Sequence, residues 1–291
     1  MSNPVVIITG ANGFIGQKLT EYFLAKNYSV RALVHHFPAI KKDKVAYFLH
    51  NIEDAPSEDI FKSANILIHC AYLRYEKNPD ADQLNIRGTK ILIELCRKNN
   101  IKPVFLSSFS AHPEAESHYG KTKLACEKLF DLSRDLVLKP GLVLGTQGLF
   151  GEIVKNVKAS KFFPLVGDGT QPMQSIAIDD LCSIIGIGLE KNSVGIYYVA
   201  EPTAIPIKDL YKTISEGLNK KIVFVPIPFS LLYFVCAIAE KMRIQLPVTS
   251  ENLLGLKHLR SFETEKDLRS FGVQIKNYRE SIQLLLGQNG L

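Results

Sequence analysis

Two tyrosines of this 291-residue chain each stand four positions ahead of a lysine, Tyr119 before Lys123 and Tyr22 before Lys26. On a helix that spacing sets phenol and ammonium on one face, about a turn apart. A phenol, with a pKa near 10, is a poor base at neutral pH; a neighbouring ammonium favours its ionised form and draws it toward general acid/base work. Spacing alone does not choose between the pairs. His112 and His118 flank the first pair without a carboxylate at a telling spacing, and they read as loop histidines. Asp179 and Asp180 read as the acidic start of a helix over 181–189 rather than as metal ligands, and no residues are assigned to a metal.

A second chemistry is written near the start of the chain. Thr9-Gly10-Ala11-Asn12-Gly13-Phe14-Ile15-Gly16 follows the apolar run Val5-Val6-Ile7-Ile8 and opens a segment in which Ile15, Leu19 and Phe23 share one helical face. Gly10 permits the tight turn, Gly13 lets backbone approach a pyrophosphate, Gly16 allows close helix-to-strand packing, and amides at the helix start face the anion. Thr9, Gly10, Asn12, Gly13, Phe14, Ile15 and Gly16 are therefore expected to line a dinucleotide site. That choice also separates the two tyrosines. Tyr22 lies on the helix directly after the turn, whereas Tyr119 follows the fifth predicted strand and Ser107-Ser108, where strand ends meet the nicotinamide end of such a site.

The Gly-x-x-Gly-x-x-Gly spacing preceded by Thr resembles the extended and atypical short-chain dehydrogenase/reductases, the NAD-dependent epimerase/dehydratase family. The likeness continues in Ile68-His69-Cys70-Ala71, Asn85-Ile-Arg-Gly88-Thr89, Leu106-Ser107-Ser108, Lys139-Pro140-Gly141 where the family has Arg-Pro-Gly, and Ile178-Asp179-Asp180. It implies that Tyr119 is the general acid/base, that Lys123 holds the nicotinamide ribose and lowers the phenol's pKa, that Ser108 bonds the substrate oxygen, and that Asn85 kinks its helix. Ser107 and Ser110 compete for the serine role. Cofactor contacts implied in the same way are His35, Asn51 where the family has an Asp near the adenine, Ile52, Cys70, Ala71, Tyr119, Lys123 and Pro140. Relatives often dimerise through helices corresponding to 84–98 and 119–132, which makes a homodimer an expectation.

Strands are predicted over 5–9, 29–34, 45–49, 66–71, 104–107 and 136–139, and helices over 15–26, 84–98 and 119–132. The alternation reads as an α/β fold, a doubly wound parallel sheet of Rossmann type with a smaller interleaved C-terminal substrate lobe. Residues 1–140, with 175–200 returning, form the dinucleotide-binding core; 141–174 and 201–291 form the substrate lobe. The stretch 141–174 is rich in Gly and Pro, and 164–172 reads as loop and turn.

A chain that is 46% hydrophobic and 22% charged can bury a sizeable core. The net charge of +6 is diffuse and accompanies no nucleic-acid-binding pattern, so a small anionic substrate is expected and nucleic acid is not. Five widely spaced cysteines and a start without signal-peptide character point to the cytoplasm. The uncharged run 222–239 is broken by Pro226 and Pro228 and is read as a buried strand and helix rather than a transmembrane span, with membrane-surface contact as the other reading.

After the second strand come His35, His36, Lys41 and Lys42, with no carboxylate before Asp43, which favours NADP slightly over NAD. The expected reaction is redox or epimerisation at a hydroxyl/keto carbon of a sugar nucleotide. Ser108 is followed by Phe109, Ser110 and Ala111 without an acidic pair, which disfavours dehydration. Two alternatives stand beside it, a reductase of an apolar alcohol or ketone and a non-catalytic dinucleotide-binding accessory subunit.

Overall fold

The structure is a computed structural model describing residues 3–75, 78–244, 246 and 248–289. In chain order the elements are β1 (Val5–Thr9), α1 (Phe14–Ala25), β2 (Ser29–Val34), β3 (Val45–Leu49), β4 (Ile66–His69), α2 (Ala81–Lys98), β5 (Lys102–Leu106), α3 (His118–Glu127) and β6 (Leu136–Pro140). There follow β7 (Leu142–Leu144), α4 (Gly148–Ala159), β8 (Phe162–Val166), β9 (Pro172–Met173), β10 (Ser175–Ala177), α5 (Ile178–Glu190) and β11 (Gly195–Val199). The chain ends with β12 (Ile205–Pro206), α6 (Ile207–Gly217), β13 (Val223–Ile227), α7 (Phe229–Lys241), α8 (Ser250–Lys257), α9 (Glu265–Phe271) and α10 (Tyr278–Asn289). Two compact units result, one of residues 1–111, 121–139 and 182–197, the other of 112–120, 140–181 and 198–291.

The first unit is built on a seven-stranded sheet of order β11-β6-β5-β4-β1-β2-β3. From β3 to β6 all pairings are parallel. Val6, Ile7 and Ile8 are all fully buried, the mark of a strand covered on both faces, and it explains why β1 reads as a continuous apolar run rather than an alternation. Ile7, Leu33, Phe61, Leu67, Leu92 and Ile101 pack into one cluster; Ile93, Phe105, Cys126, Phe130 and Val137 form another. The order reverses at β1, which has β2 on one side and β4 on the other, and this is the switch point where α/β sheets take ligands.

Register then fixes what meets there. Thr9 pairs with Leu33 and His69, His69 with Phe105, and Leu106 with Leu138. The segments following β1, β2, β4 and β5 consequently leave the sheet at one edge, bringing the glycine turn, His35, Cys70-Ala71 and Ser107-Ser108 to it from four distant parts of the sequence.

The second unit contains three two-stranded ribbons, β7/β10 and β8/β13 parallel and β9/β12 antiparallel. Its main core joins Phe150, Val154 and Val157 of α4, Leu210 and Ile214 of α6, and Ile282 of α10.

Two expectations are corrected. The segment 164–172 is loop and turn only between β8, which runs to Val166, and β9, which begins at Pro172. The Gly- and Pro-rich stretch 141–174 also holds a 12-residue helix, α4, whose glycines stand at its start and whose Phe150, Val154 and Val157 recur on one buried face. The run 222–239 does form a strand and a helix, but each is buried on one side only: Val223, Leu231 and Phe234 are each about half exposed or more. All five cysteines are thiols, four of them buried. Among the described residues, no helix is long and apolar enough to cross a membrane.

Gly88 shows how tightly α2 seats on the segment after β3, since a Cβ there would lie 2.1 Å from the Ile52 carbonyl oxygen. Gly88→Ala is expected to cost about 1–3 kcal/mol through overpacking, read as a lowered urea midpoint at unchanged slope.

Candidate active site

The glycine turn owes its shape to contacts no side chain would allow. Gly10 has φ +65°, and a Cβ on it would meet Ala71 Cα and N at 2.9 Å; a Cβ on Gly16 would lie 2.3 Å from the Gly10 carbonyl oxygen. The Gly13 amide donates to the Gly10 carbonyl at 2.8 Å, closing the turn. Helix α1 then opens without a side-chain cap and without an acidic residue in its first turn. Its leading amides and the positive end of its dipole therefore suit an anion, and the residues present fit a bound diphosphate.

Around this turn the side chains are already ordered. Asn12 Nδ2 donates to the His36 carbonyl at 2.6 Å, and Gln17 Nε2 to the Asn12 carbonyl at 2.7 Å, so the turn is tied to the end of β2. His35 Nδ1 and Asn51 Oδ1 lie 2.7 Å apart, joining the ends of β2 and β3. A cleft lined by Asn12, Gln17, Pro38, Ile40, Lys42 and Tyr47 opens beside α1. Lys42 is engaged by Glu21 at 2.7 Å, and Lys41 lies over the Phe37 ring. Next to Asn51, both ring nitrogens of His50 are buried without hydrogen-bond partners among the described residues, and burial holds its pKa below the usual histidine value.

Beneath the turn runs a chain of buried hydrogen bonds whose proton positions follow from its donors. Thr9 Oγ1 accepts from the amides of Cys70 (3.2 Å) and Ala71 (3.1 Å), leaving its own proton for His69 Nδ1 at 2.7 Å. His69 Nε2 then donates to Thr89 Oγ1 at 3.0 Å, and Thr89 to the Asn85 carbonyl at 2.7 Å. The imidazole is fully enclosed, and burial takes its pKa down to about 3, so it is neutral throughout the working range. Asn85 is buried; it donates to the carbonyls of Ala81 (2.7 Å) and Leu73 (2.8 Å) and accepts from the Leu73 amide (2.9 Å). It holds the segment after β4 by both backbone groups of Leu73. The thiol of Cys70 is pushed up to about 12 by burial, which makes it inert.

Tyr119 and Lys123 share α3, one turn apart. The phenol is 37% exposed, whereas Lys123 is buried and donates to the Leu106 carbonyl at the end of β5, 2.7 Å away. Its ammonium lies 4.6 Å from the centre of the Phe105 ring and 5.5 Å from that of Tyr72. Burial brings its pKa down to about 8, against the opposing pull of Glu127. The other pair is different. Tyr22 packs its hydroxyl against Gly186 of α5, where a Cβ would come within 2.1 Å, and burial raises its pKa.

Of the three serines, Ser107 is buried with its hydroxyl given to Glu127, while Ser108 is half-buried and accepts from the Ser110 amide at 3.1 Å. Glu127 also pairs with buried Lys139, 2.9 Å away, and Lys139 reaches the Ala111 carbonyl. Sequence reasoning passed over this pair, although Glu127 stands four residues beyond Lys123 on the same face of α3 as the Tyr119 phenol. Pro140 is buried beside Lys139 at the end of β6. His112 is buried with Nε2 toward the His258 carbonyl, and Asp180 bonds Lys276, so each is engaged within the second unit.

The sequence profile of the NAD dependent epimerase/dehydratase family matches residues 6–200, the greater part of the chain. The chain belongs to that family. Its members' enzyme class, NAD(P)-dependent epimerase/dehydratase, and the Rossmann-type sheet described above agree. A curated relative, N-acetyl-alpha-D-glucosaminyl-diphospho-ditrans,octacis-undecaprenol 4-epimerase of Escherichia coli O157:H7, is 22% identical over 79% of this chain and 77% of its own length. Among solved structures, MoeE5 in complex with UDP-glucuronic acid and NAD superposes with a TM-score of 0.75 at 18% identity, covering 98% of this chain and 99% of that one. UDP-N-acetylglucosamine 4-epimerase from Methanobrevibacter ruminantium M1, in complex with UDP-N-acetylmuramic acid, gives 0.73 at 19% identity over 99% and 98% of the two chains.

Two outcomes are expected from these buried charges. Lys139→Met strands Glu127 and should cost about 3–5 kcal/mol in urea unfolding, most of it recovered when Glu127→Leu is added. Lys123 has a folded pKa near 8 against 10.5 in the open chain. Its contribution to stability is therefore complete above pH 10.5 and lost as pH falls through 8. The stability of the parent relative to Lys123→Met should rise between pH 8 and 10.5 by on the order of 3 kcal/mol; a flat difference would refute the shift.

Proposed function

We propose that this family member transfers a hydride between NAD(P) and a hydroxyl-bearing carbon of a sugar nucleotide, as an epimerase or a ketone/alcohol oxidoreductase. The observation carrying the reading is the uncapped start of α1 at the sheet's switch point, with Lys123 seated under the end of β5 at the same edge. The sugar nucleotide named with MoeE5 and the sugar 4-epimerisation named for the Escherichia coli relative support the substrate class. The nicotinamide, when bound, supplies the hydride acceptor or donor.

The chain's own residues would do the rest. Amides at the start of α1 hold the diphosphate, and Asn12, His35, Asn51, Ile52 and the unused ring nitrogens of His50 serve the adenosine end. Lys123 spends one of its three donors on Leu106 and would hold the nicotinamide ribose with the others, while its positive charge would favour the Tyr119 phenolate. Tyr119 takes the hydroxyl proton as hydride leaves the same carbon, and returns it in the reverse step. Ser108 orients that oxygen, because Ser107 is committed to Glu127. Asn85 acts through the segment it holds and is a positioning residue. A slight preference for NADP rests on Lys41 and the two histidines, since Glu21 already neutralises Lys42.

The division of the chain into a dinucleotide core (1–140 with 175–200) and a substrate lobe (141–174 and 201–291) belongs to this proposal, as do cytoplasmic residence and a homodimer, the last readable by light scattering. Thermal shift with NAD and NADP, followed by a panel of UDP- and dTDP-sugars, tests the whole. Tyr119→Phe should leave cofactor affinity within twofold and lower turnover by about 10²–10⁴. Undiminished turnover would overturn the acid/base assignment, and cofactor binding with no turnover across the panel would favour an accessory subunit.

A further inference from the structure

From Leu231 to Ala239 helix α7 carries no charged residue, yet the core of its unit takes only one side. Cys236 and Ala239 are buried, and Phe229, Leu232 and Tyr233 pack with Val166, Val248, Leu253 and Leu256. On the other side Leu231, Phe234, Val235, Ile238 and Met242 recur at helical spacing as one stripe, each between 43% and 65% exposed. Ile244 and Leu246, just past the helix, are also exposed. The ribbon leading into α7 continues the theme, for Phe162 lies opposite Val223 in the register and both, with Val225, face outward. Exposed apolar surface of this extent marks an interaction site.

Charge decides what it meets. Lys158, Lys161, Lys220 and Lys221 gather where the ribbon begins, with Lys220 Nζ on the Lys158 carbonyl and the Val223 amide on the Lys161 carbonyl at 2.8 Å. Lys241 and Arg243 stand at the far end of α7, both exposed. Within 153–166 and 218–246 the sole acidic residue is Glu240, which is already engaged by Ser250 at 2.7 Å through both amide and hydroxyl.

We propose that the α7 stripe and its basic ends dock this protein on an anionic lipid bilayer, with α7 lying in the plane of the headgroups. At about 1.5 Å per residue its 13 residues reach roughly 20 Å, short of the ~30 Å hydrocarbon thickness, so the helix lies on a membrane rather than crossing it. A second copy of the chain fits less well, since a two-fold contact would press one lysine-rich rim against another. The inference is independent of the hydride-transfer reading.

Flotation of the purified full chain with vesicles tests it, using phosphatidylcholine alone and phosphatidylcholine doped with phosphatidylglycerol. Binding is expected to the doped vesicles and to fall steeply with added salt. Phe234→Glu combined with Ile238→Glu should lower the bound fraction at least tenfold with cofactor affinity unchanged. Lys161→Glu with Lys221→Glu should weaken binding to doped vesicles and flatten its salt dependence. If the glutamate pair does not fold, Phe234→Ser carries the same reading. Absence of vesicle binding by the parent chain overturns the proposal, and so does parent-like binding by the folded stripe variants. A parent dimer that Phe234→Glu dissociates, without any vesicle binding, would instead assign the face to a second copy.

Discussion

Everything at the functional edge depends on how closely two backbones approach where β1 ends. Gly10 takes a left-handed conformation with its α-carbon pressed against Ala71, and Gly16 brings the first turn of α1 onto the Gly10 carbonyl. Only with both contacts made can the helix start point across the switch point with bare amides, and only then does Thr9 reach the amides of Cys70 and Ala71 together. The neutral His69 beneath converts that local closeness into a wider constraint, linking β1 through β4 to α2 by hydrogen bonds that each run in one direction. A charged imidazole could not accept from Thr9, so full burial of the ring is part of the design rather than incidental to it.

Much of this was legible in the sequence because it was local. The bounds of β1, β2 and β3 follow from apolar runs punctuated by turn residues, and the roles of Gly10 and Gly16 follow from their position between a strand and a helix. The two tyrosines differ in the way the order of elements suggests, for Tyr22 is spent on packing against Gly186 of α5 whereas Tyr119 is partly exposed. The Gly88 of the Asn-x-x-Gly-Thr segment also has a plain cause, the carbonyl of Ile52.

What was not legible depended on contacts between distant residues or on exposure. Glu127 and Lys139 are ordinary charges in a linear reading; their meaning comes from burial together beside Ser107. Helix α4 was hidden because glycine was weighed by count rather than by place, although Gly148 and Gly151 lie at the helix start, where they cost little. Helix α7 misled in the opposite direction. An uncharged run reads as core, and hydrophobicity alone does not tell an interior from a surface that awaits something apolar.

The short span from Ser107 to Ala111 is held at both ends by the same ion pair, the serine hydroxyl by Glu127 and the Ala111 carbonyl by Lys139. A segment stapled in this way has a set length. Extra residues inserted there would unseat one clamp and leave a buried charge without its counterpart, so the length of this span is fixed by the core beneath it. Variation in length is cheaper downstream of Ala111, where the chain runs outside the staple toward α3.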